Sequence, residues 1–592
     1  MKYICICILL FTISIAFGQS IHTKIDQLLQ EQKLVGAVYT IVDHHDISCF
    51  ASGLKNLKTG EKLDKNTKVN VGSITKTLLA LGILRLATEK KLHIDDPIKK
   101  YLPDLPINNP WEQSQTVTIR HLLDHTSGLS DIRLWHFFST SCSPQTELSE
   151  FYTRSPEVLT IEAKPGTVFS YSNMGYTLLG ILIESVVKER YEDYLDKNLL
   201  QPIGLKNSTF HFISQHEHKD LAMGHFDNGS MAPAMPTYVR PAGQFTTTAL
   251  DMGILLQFIL DRGKLQQEVF IASEYIDMLG VPNTVASQNG LTYGYAFGAL
   301  SRDRHGVVGL AHSGNTVGFR AMYQLFPGQN KAYFIAHNMD SETADYEAFN
   351  KALIDHLSPD RTPQQRPSHP AKQSKKWEGY YIPIITRIKP FELFDIMGSH
   401  VRVLQGQDGL LLIPFQKKQI VLSTIDNRLF RTDEKLGASH LFYEDKLGQK
   451  YLTTGILTLK KVNGLKIALL ITGCLSGVLA MITLICYGVY HIFKKSSHFF
   501  ARPIFPSFIG VSLITVIGVL LSFNDVTQIG NKNFLTIIFY CSTIILPIGL
   551  LISFFLSFKT KKKGFEFLLL LFIIQFTIIL WSYNVIPFAI WR

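Results

Sequence analysis

Four long apolar runs fill the C-terminal part of the chain, at 467–493, 504–523, 534–558 and 567–586. Each is about 20 residues or longer, which as a helix crosses a hydrocarbon core of about 30 Å. None holds an Asp, Glu, Lys or Arg, so they read as an anchor rather than an ion or proton path. Lys494, Lys495 and Arg502 separate the first two runs, and Lys559, Lys561, Lys562 and Lys563 the last two. Basic clusters of this kind belong on the cytoplasmic side of a membrane. The net charge of +10 is therefore concentrated in part at the edges of apolar segments, which points to a bilayer surface and away from nucleic acid.

The other end of the chain agrees with that orientation. Residues 1–18 carry one lysine, an apolar core from Ile4 to Phe17, and Ala16 and Gly18 at the small positions before a cut ahead of Gln19. This is the pattern of a secretory signal peptide, and an uncleaved signal anchor would leave the topology unchanged. The expected location is a bacterial cytoplasmic membrane, multi-pass, with the intervening domains on the periplasmic or extracellular side. Seven cysteines give no disulfide framework, because only Cys49 and Cys142 fall in the exported part.

Between these ends the chain divides by composition. Residues 19–357 alternate helical and strand-like patterns. They include paired strands at Gly36–Val42 and Ser48–Ser52, and three successive strands at Val307–His312, Gly318–Phe326 and Ala332–His337. Ser313-Gly314-Asn315-Thr316 reads as a turn between the first two of those three. Residues 358–376 are a linker rich in Pro, Lys, Arg and Gln, and 377–462 show short alternating runs that predict a small barrel-like β domain. No catalytic constellation stands out in that β domain. The membrane part is then 467–592.

The chemistry centres on Ser73-Ile74-Thr75-Lys76, which opens an apolar helical run through Ala87. Serine and lysine three residues apart share one helix face. Burial and the positive end of the helix dipole both favour the neutral, basic amine that a nucleophilic serine needs. The spacing alone is not specific, since Ser185-Val186-Val187-Lys188 repeats it in what reads as a helix surface. Thr118 reads as the N-cap of a helix running toward Gly128, with His125 in its last turn. His121 and His125 sit at i and i+4, but Leu122 follows His121 where a zinc protease has glutamate, so no metal site is expected.

With Tyr171-Ser172-Asn173 and His312-Ser313-Gly314 following Ser73-Ile74-Thr75-Lys76 in order, the chain resembles the serine β-lactamase-like superfamily. The likeness is to its class C-like branch of penicillin-binding proteins, D,D-peptidases, D-aminopeptidases and esterases. The segments 122–129 and 242–247 strengthen it, and it covers roughly Lys24 to His356. The resemblance implies an α+β fold, with an antiparallel sheet of N- and C-terminal strands flanked by helices, a helical subdomain between, and the site at their junction. It implies Ser73 as acylated nucleophile, Lys76 and Tyr171 as general base and acid, and Asn173 as orienting group. His312 and Gly314 would border the substrate, and the backbone N–H groups of Ser73 and Asn315 would hold the oxyanion. It needs no cofactor or metal, and it implies as substrate a small peptide, amide or ester, cell-wall-derived peptides among them.

His312 stands where many relatives carry lysine. A neutral histidine pairs poorly with a carboxylate, so penicillin-like acids are expected to be poor ligands and His312→Lys to raise β-lactam acylation. A competing expectation is a binding or sensing protein that captures such a compound and signals through its membrane tail. Retention of serine, lysine and tyrosine together favours the enzyme.

Overall fold

A computed structural model describes residues 20–361, 363–364, 374–406, 409–523, 525–559 and 564–591. The signal sequence, most of the linker and the lysines at 561–563 lie outside the described residues. The catalytic-type domain is built on an eight-stranded antiparallel sheet. Its strands run in the order Tyr295–Ala296, Ala299–Arg304, Val307–Thr316, Phe319–Phe326, Lys331–His337, Gly36–Asp43, Asp46–Asn56 and Glu61–Lys62. The N-terminal strand therefore closes onto the last C-terminal one, with Ala37 opposite His337 and Val42 opposite Ala332.

Both faces of this sheet are covered, which explains why Gly36–Asp43 is buried at every position but its last. Helices Ile21–Glu31 and Tyr346–Leu357 pack one face through Ile25, Leu28, Phe349 and Leu353. The opposite face receives Ala249–Leu260 and, beyond it, helix Thr75–Thr88. Thr75–Thr88 is apolar on nearly all sides because it runs through the centre of the domain, between the sheet and the helical segments that follow.

Three details differ from the sequence reading. Ser73 is not in the α-helix but in a single 3-10 turn, Gly72–Ile74, that leads into it. Ser313–Thr316 is not a turn; the strand continues to Thr316, because Ser313 to Thr316 pair with Phe319 to Met322 and the reversal is made by Val317 and Gly318, with φ of +73° at the glycine. Helix Ile119–Leu123 ends early, with the expected Thr118 N-cap, and His125 lies beyond it in a left-handed conformation, φ +54°. His125 is buried, and its Nδ1 accepts the Ser172 N–H at 3.1 Å rather than serving helix carbonyls.

The β domain is a closed antiparallel barrel of eight strands, from Gly379–Pro383 to Thr458–Val462, with Tyr380 opposite Val462 at the closure. Trp377, Tyr381, Phe430 and Phe442 meet in its interior, so the barrel is a packed core rather than a container. One excursion breaks its regularity. After the first strand, residues 384–400 leave the barrel, form helix Glu392–Ser399 and return at Val401.

Four helices follow, Gly464–Phe493, Phe505–Ser522, Phe534–Phe558 and Phe565–Ser582, each long and apolar enough to cross a membrane. The helical boundaries admit two charges that the sequence windows left outside, Lys466 and Glu566. Glu566 pairs with Arg502 and accepts from Tyr487 Oη, tying the short connection after the first helix to the start of the fourth.

Candidate active site

The site begins with a backbone constraint. Gly72 has φ +52°, and a Cβ there would lie 2.8 Å from the backbone nitrogen of Asn315. A Cβ on Gly314 would stand 1.8 Å from the Val71 carbonyl oxygen and 3.0 Å from Ser73 N. Two glycines thus let the Ser73 turn and the end of strand Val307–Thr316 touch backbone to backbone. Ser73 and Asn315 line one cavity of about 430 Å³ with Phe137, Tyr171, Asn173, His312 and Arg387. Ser73 and Asn315 thus meet backbone to backbone at one wall of this cavity.

Lys76 lies under this turn and is fully buried. Its Nζ stands 3.0 Å from Ser73 Oγ and donates to Asn173 Oδ1 and to the Ala242 carbonyl, both at 2.7 Å. A neutral amine has two N–H groups and one lone pair. With both N–H groups taken by these two acceptors, the lone pair is left for the Ser73 hydroxyl. Burial, the largest effect, holds Lys76 well below the ordinary lysine range; Asp131 opposes this and Arg387 adds to it.

Tyr171 Oη donates to Ser73 Oγ at 2.7 Å. Burial raises the phenol above its ordinary value, outweighing the hydrogen bond to Ser73 and the nearby Arg387 that pull it down. The ring therefore carries its proton and acts as donor rather than as a phenolate base. Two basic side chains approach its ring, with Lys76 Nζ 4.8 Å and the Arg387 guanidinium carbon 5.0 Å from its centre.

Asn173 opens helix Asn173–Val187, whose N-cap Ser172 accepts from Gly175 N. Its side chain is oriented by a residue the sequence did not single out. Asp131, wholly buried, accepts from Asn173 N at 2.8 Å and Asn173 Nδ2 at 2.9 Å through Oδ1. That leaves Asn173 Oδ1 facing Lys76. Asp131 Oδ2 in turn accepts from Arg387 Nε at 3.1 Å and Nη2 at 2.7 Å, and Asp131 N donates to the Arg387 carbonyl at 2.8 Å. Arg387 belongs to the excursion from the barrel. The barrel domain thus adds to the Ser73 cavity a loop cation that no local pattern in the sequence marks.

His312 is buried beside Tyr295, whose Oη lies 3.2 Å from its Nε2, while its Nδ1 is 2.6 Å from the Ser313 carbonyl. The carbonyl requires Nδ1 to carry the proton, so Nε2 accepts from Tyr295. Desolvation, reinforced by Lys76, lowers His312 to about 3, which makes it a neutral wall of the site at physiological pH. His125 stacks behind it, 4.4 Å from the Tyr171 ring and 4.7 Å from Tyr295.

Every residue expected from the sequence therefore lies at this cleft, with Gly314 behind it. Ser185 and Lys188 do not pair: Ser185 Oγ donates to Tyr101 O, and Lys188 is the left-handed cap that ends its helix. Among the described residues, no group of three or more His, Cys, Asp or Glu side chains is placed to hold a metal ion.

Comparison with known proteins follows the same boundaries. Protein flp of Staphylococcus aureus (strain MW2) is 27% identical over 414 residues, spanning 68% of this chain and 78% of that protein. Penicillin-binding protein 4 of Amycolatopsis lactamdurans is 25% identical over 352 residues, covering 58% of this chain and 90% of its own length. Among solved structures, SurE with D-Leu superposes with a TM-score of 0.50 at 20% identity, over 75% of this chain and 98% of SurE, a likeness of fold. The profile of the Beta-lactamase family matches residues 21–356, more than half of the sequence and all of the domain that holds Ser73, Lys76, Tyr171 and His312. The chain belongs to the beta-lactamase family.

Proposed function

We propose that this protein is a membrane-anchored, extracytoplasmic serine hydrolase that acts through a Ser73 acyl-enzyme on small D-amino-acid peptides, amides or esters. The observation that carries the reading is the buried Lys76, whose Nζ donates to Asn173 Oδ1 and the Ala242 carbonyl and lies 3.0 Å from Ser73 Oγ. In this mechanism Ser73 Oγ attacks the substrate carbonyl carbon and its proton passes to Lys76. The Ser73 and Asn315 N–H groups hold the oxyanion, at about 3 kcal/mol for such a donor. Collapse breaks the scissile C–N or C–O bond, and Tyr171 relays the proton from Lys76 to the leaving group. Water then attacks the acyl carbon, returns a proton to Ser73 and releases the acid.

Arg387 revises the expectation for substrate charge. His312 is neutral, but Arg387 brings a permanent cation into the same cleft from the barrel. We assign recognition of a substrate carboxylate to this arginine, which favours substrates ending in a free D-amino acid.

The test is intact mass spectrometry of the full chain in detergent, exposed to a fluorophosphonate, a penicillin and a panel of D-alanyl peptides, amides and esters, with Ser73→Ala alongside. The full chain is required because a fragment ending before the barrel lacks Arg387. A Ser73-dependent adduct with turnover of a panel member supports the hydrolase. An adduct that persists supports a sensor, and no adduct refutes both.

A further inference from the structure

Both rims of the catalytic cleft are fastened to the same end of the membrane bundle. On one rim, Phe137 lines the cleft. The residues around it are held by the turn between the second and third membrane helices. Gly530 N donates to the Phe138 carbonyl at 2.7 Å, and Asn531 Oδ1 accepts from Ser139 Oγ at 2.7 Å and Thr140 N at 3.0 Å. Asn531 Nδ2 donates to Thr140 Oγ1 at 2.7 Å. The approach is close enough that a Cβ on Gly530 would fall 2.4 Å from Trp135 Cα.

On the other rim, Arg387 leads directly into helix Glu392–Ser399. One face of that helix buries Leu393 against Cys474, Leu580 and Ile586, and Ile396 against Ile467. These belong to the first and fourth membrane helices and the segment after the fourth, so the short helix packs against the N-terminal part of the first and the C-terminal part of the fourth. Its opposite face, Phe391, Asp395 and Ser399, lines a cavity of about 420 Å³ together with Ile385, Ile388 and Arg387. Arg387 is shared with the catalytic cleft, so the two cavities adjoin at its side chain.

The second cavity thus stands one helix thickness, about 10 Å, from apolar residues of the first and fourth membrane helices. A headgroup layer occupies about 5–8 Å on each side of the hydrocarbon core. Phe394, on the same helix, remains 52% exposed, as suits a side chain placed in such a layer. The cleft is held beside such a layer by two separate sets of contacts. A head group still attached to a lipid reaches it without leaving the bilayer.

We infer that the natural substrate is a membrane-anchored amphiphile: a D-amino-acid amide or ester on a lipid, whose head enters past Arg387 while its chain stays in the bilayer. This deepens the hydrolase reading and rests on it. The test uses the full chain in phosphatidylcholine nanodiscs with a palmitoylated D-alanyl ester, supplied either in the same disc or in separate discs. A soluble acetyl ester with the same head and a fluorophosphonate serve as controls. Cleavage at least ten-fold faster in the same disc than across discs is the expected result. Equal rates in the two arrangements, with the soluble ester still hydrolysed, overturn the amphiphile and leave the hydrolase standing. Absence of Ser73 labelling and of soluble-ester turnover refutes the hydrolase and the amphiphile with it.

Discussion

Arg387→Met tests the assignment of carboxylate recognition most directly. Arginine has five N–H groups, and Asp131 takes one from Nε and one from Nη2. Three remain for the cleft, enough for a one- or two-point contact with a carboxylate. A hydrogen bond to a charged group contributes about 1.5–3 kcal/mol, and the open side of Arg387 argues for one such contact in full. The expected loss is then about 10- to 150-fold. Methionine keeps an apolar stem over Tyr171, so the phenol retains its packing. The assay is kcat/KM on two D-alanine-terminated substrates that differ only in a free carboxylate or a carboxamide. The carboxylate substrate should lose more than the carboxamide by the stated factor, mainly through KM, because any loss from leaving Asp131 unpaired is common to both. Equal losses on both substrates would refute substrate recognition and make Arg387 a positioning residue that acts through Asp131 and Asn173.

Asp131→Asn removes the anion that raises Lys76 toward charge and leaves Arg387, which lowers it. Because Lys76 works unprotonated, the acid limb of kcat/KM should move to lower pH, with a rate loss of about 10- to 100-fold for the weakened Asn173 contacts; an upward shift would contradict the assigned base. His312→Lys places a second cation beside Lys76, so the acid limb should again move down without a gain in β-lactam acylation. That expectation reverses the one drawn from sequence, and a faster acylation would return carboxylate recognition to the strand. His136, His312 and His337 are lowered to about 3 and His121 to about 4, burial being the largest cause in each. A histidine whose folded value is depressed contributes its full stability above the unfolded value of about 6.5 and loses it as pH falls toward the folded value, at about 1.4 kcal/mol per pH unit each. Pulse proteolysis of the catalytic domain should therefore show a steep loss of stability between about pH 6 and 4, and a flat profile over that window would show that these rings are not buried neutral.

Local pattern settled the residues whose role depends on near neighbours in the chain. Ser73 and Lys76 are three residues apart, so one turn brings them together in any helical setting. Tyr171 and Asn173 sit at a helix start, and 20-residue apolar runs cannot avoid a bilayer or a core. The barrel was legible as alternation, though not the helix Glu392–Ser399 that interrupts it. What the tertiary structure alone decided is who completes the site. Asp131 looks like any loop acid, and Arg387 lies 256 residues away in the chain, so no periodicity couples them. Their pairing exists because a buried carboxylate requires a partner and the folded barrel presents one. The extent of strand Val307–Thr316 was misjudged for a related reason: glycine and asparagine signal a turn locally, whereas here the glycine is needed for backbone contact with the nucleophile turn. The placement of the cleft against the four-helix bundle likewise follows from contacts between 134–141 and 530–531 and between 382–397 and the bundle, which only packing creates.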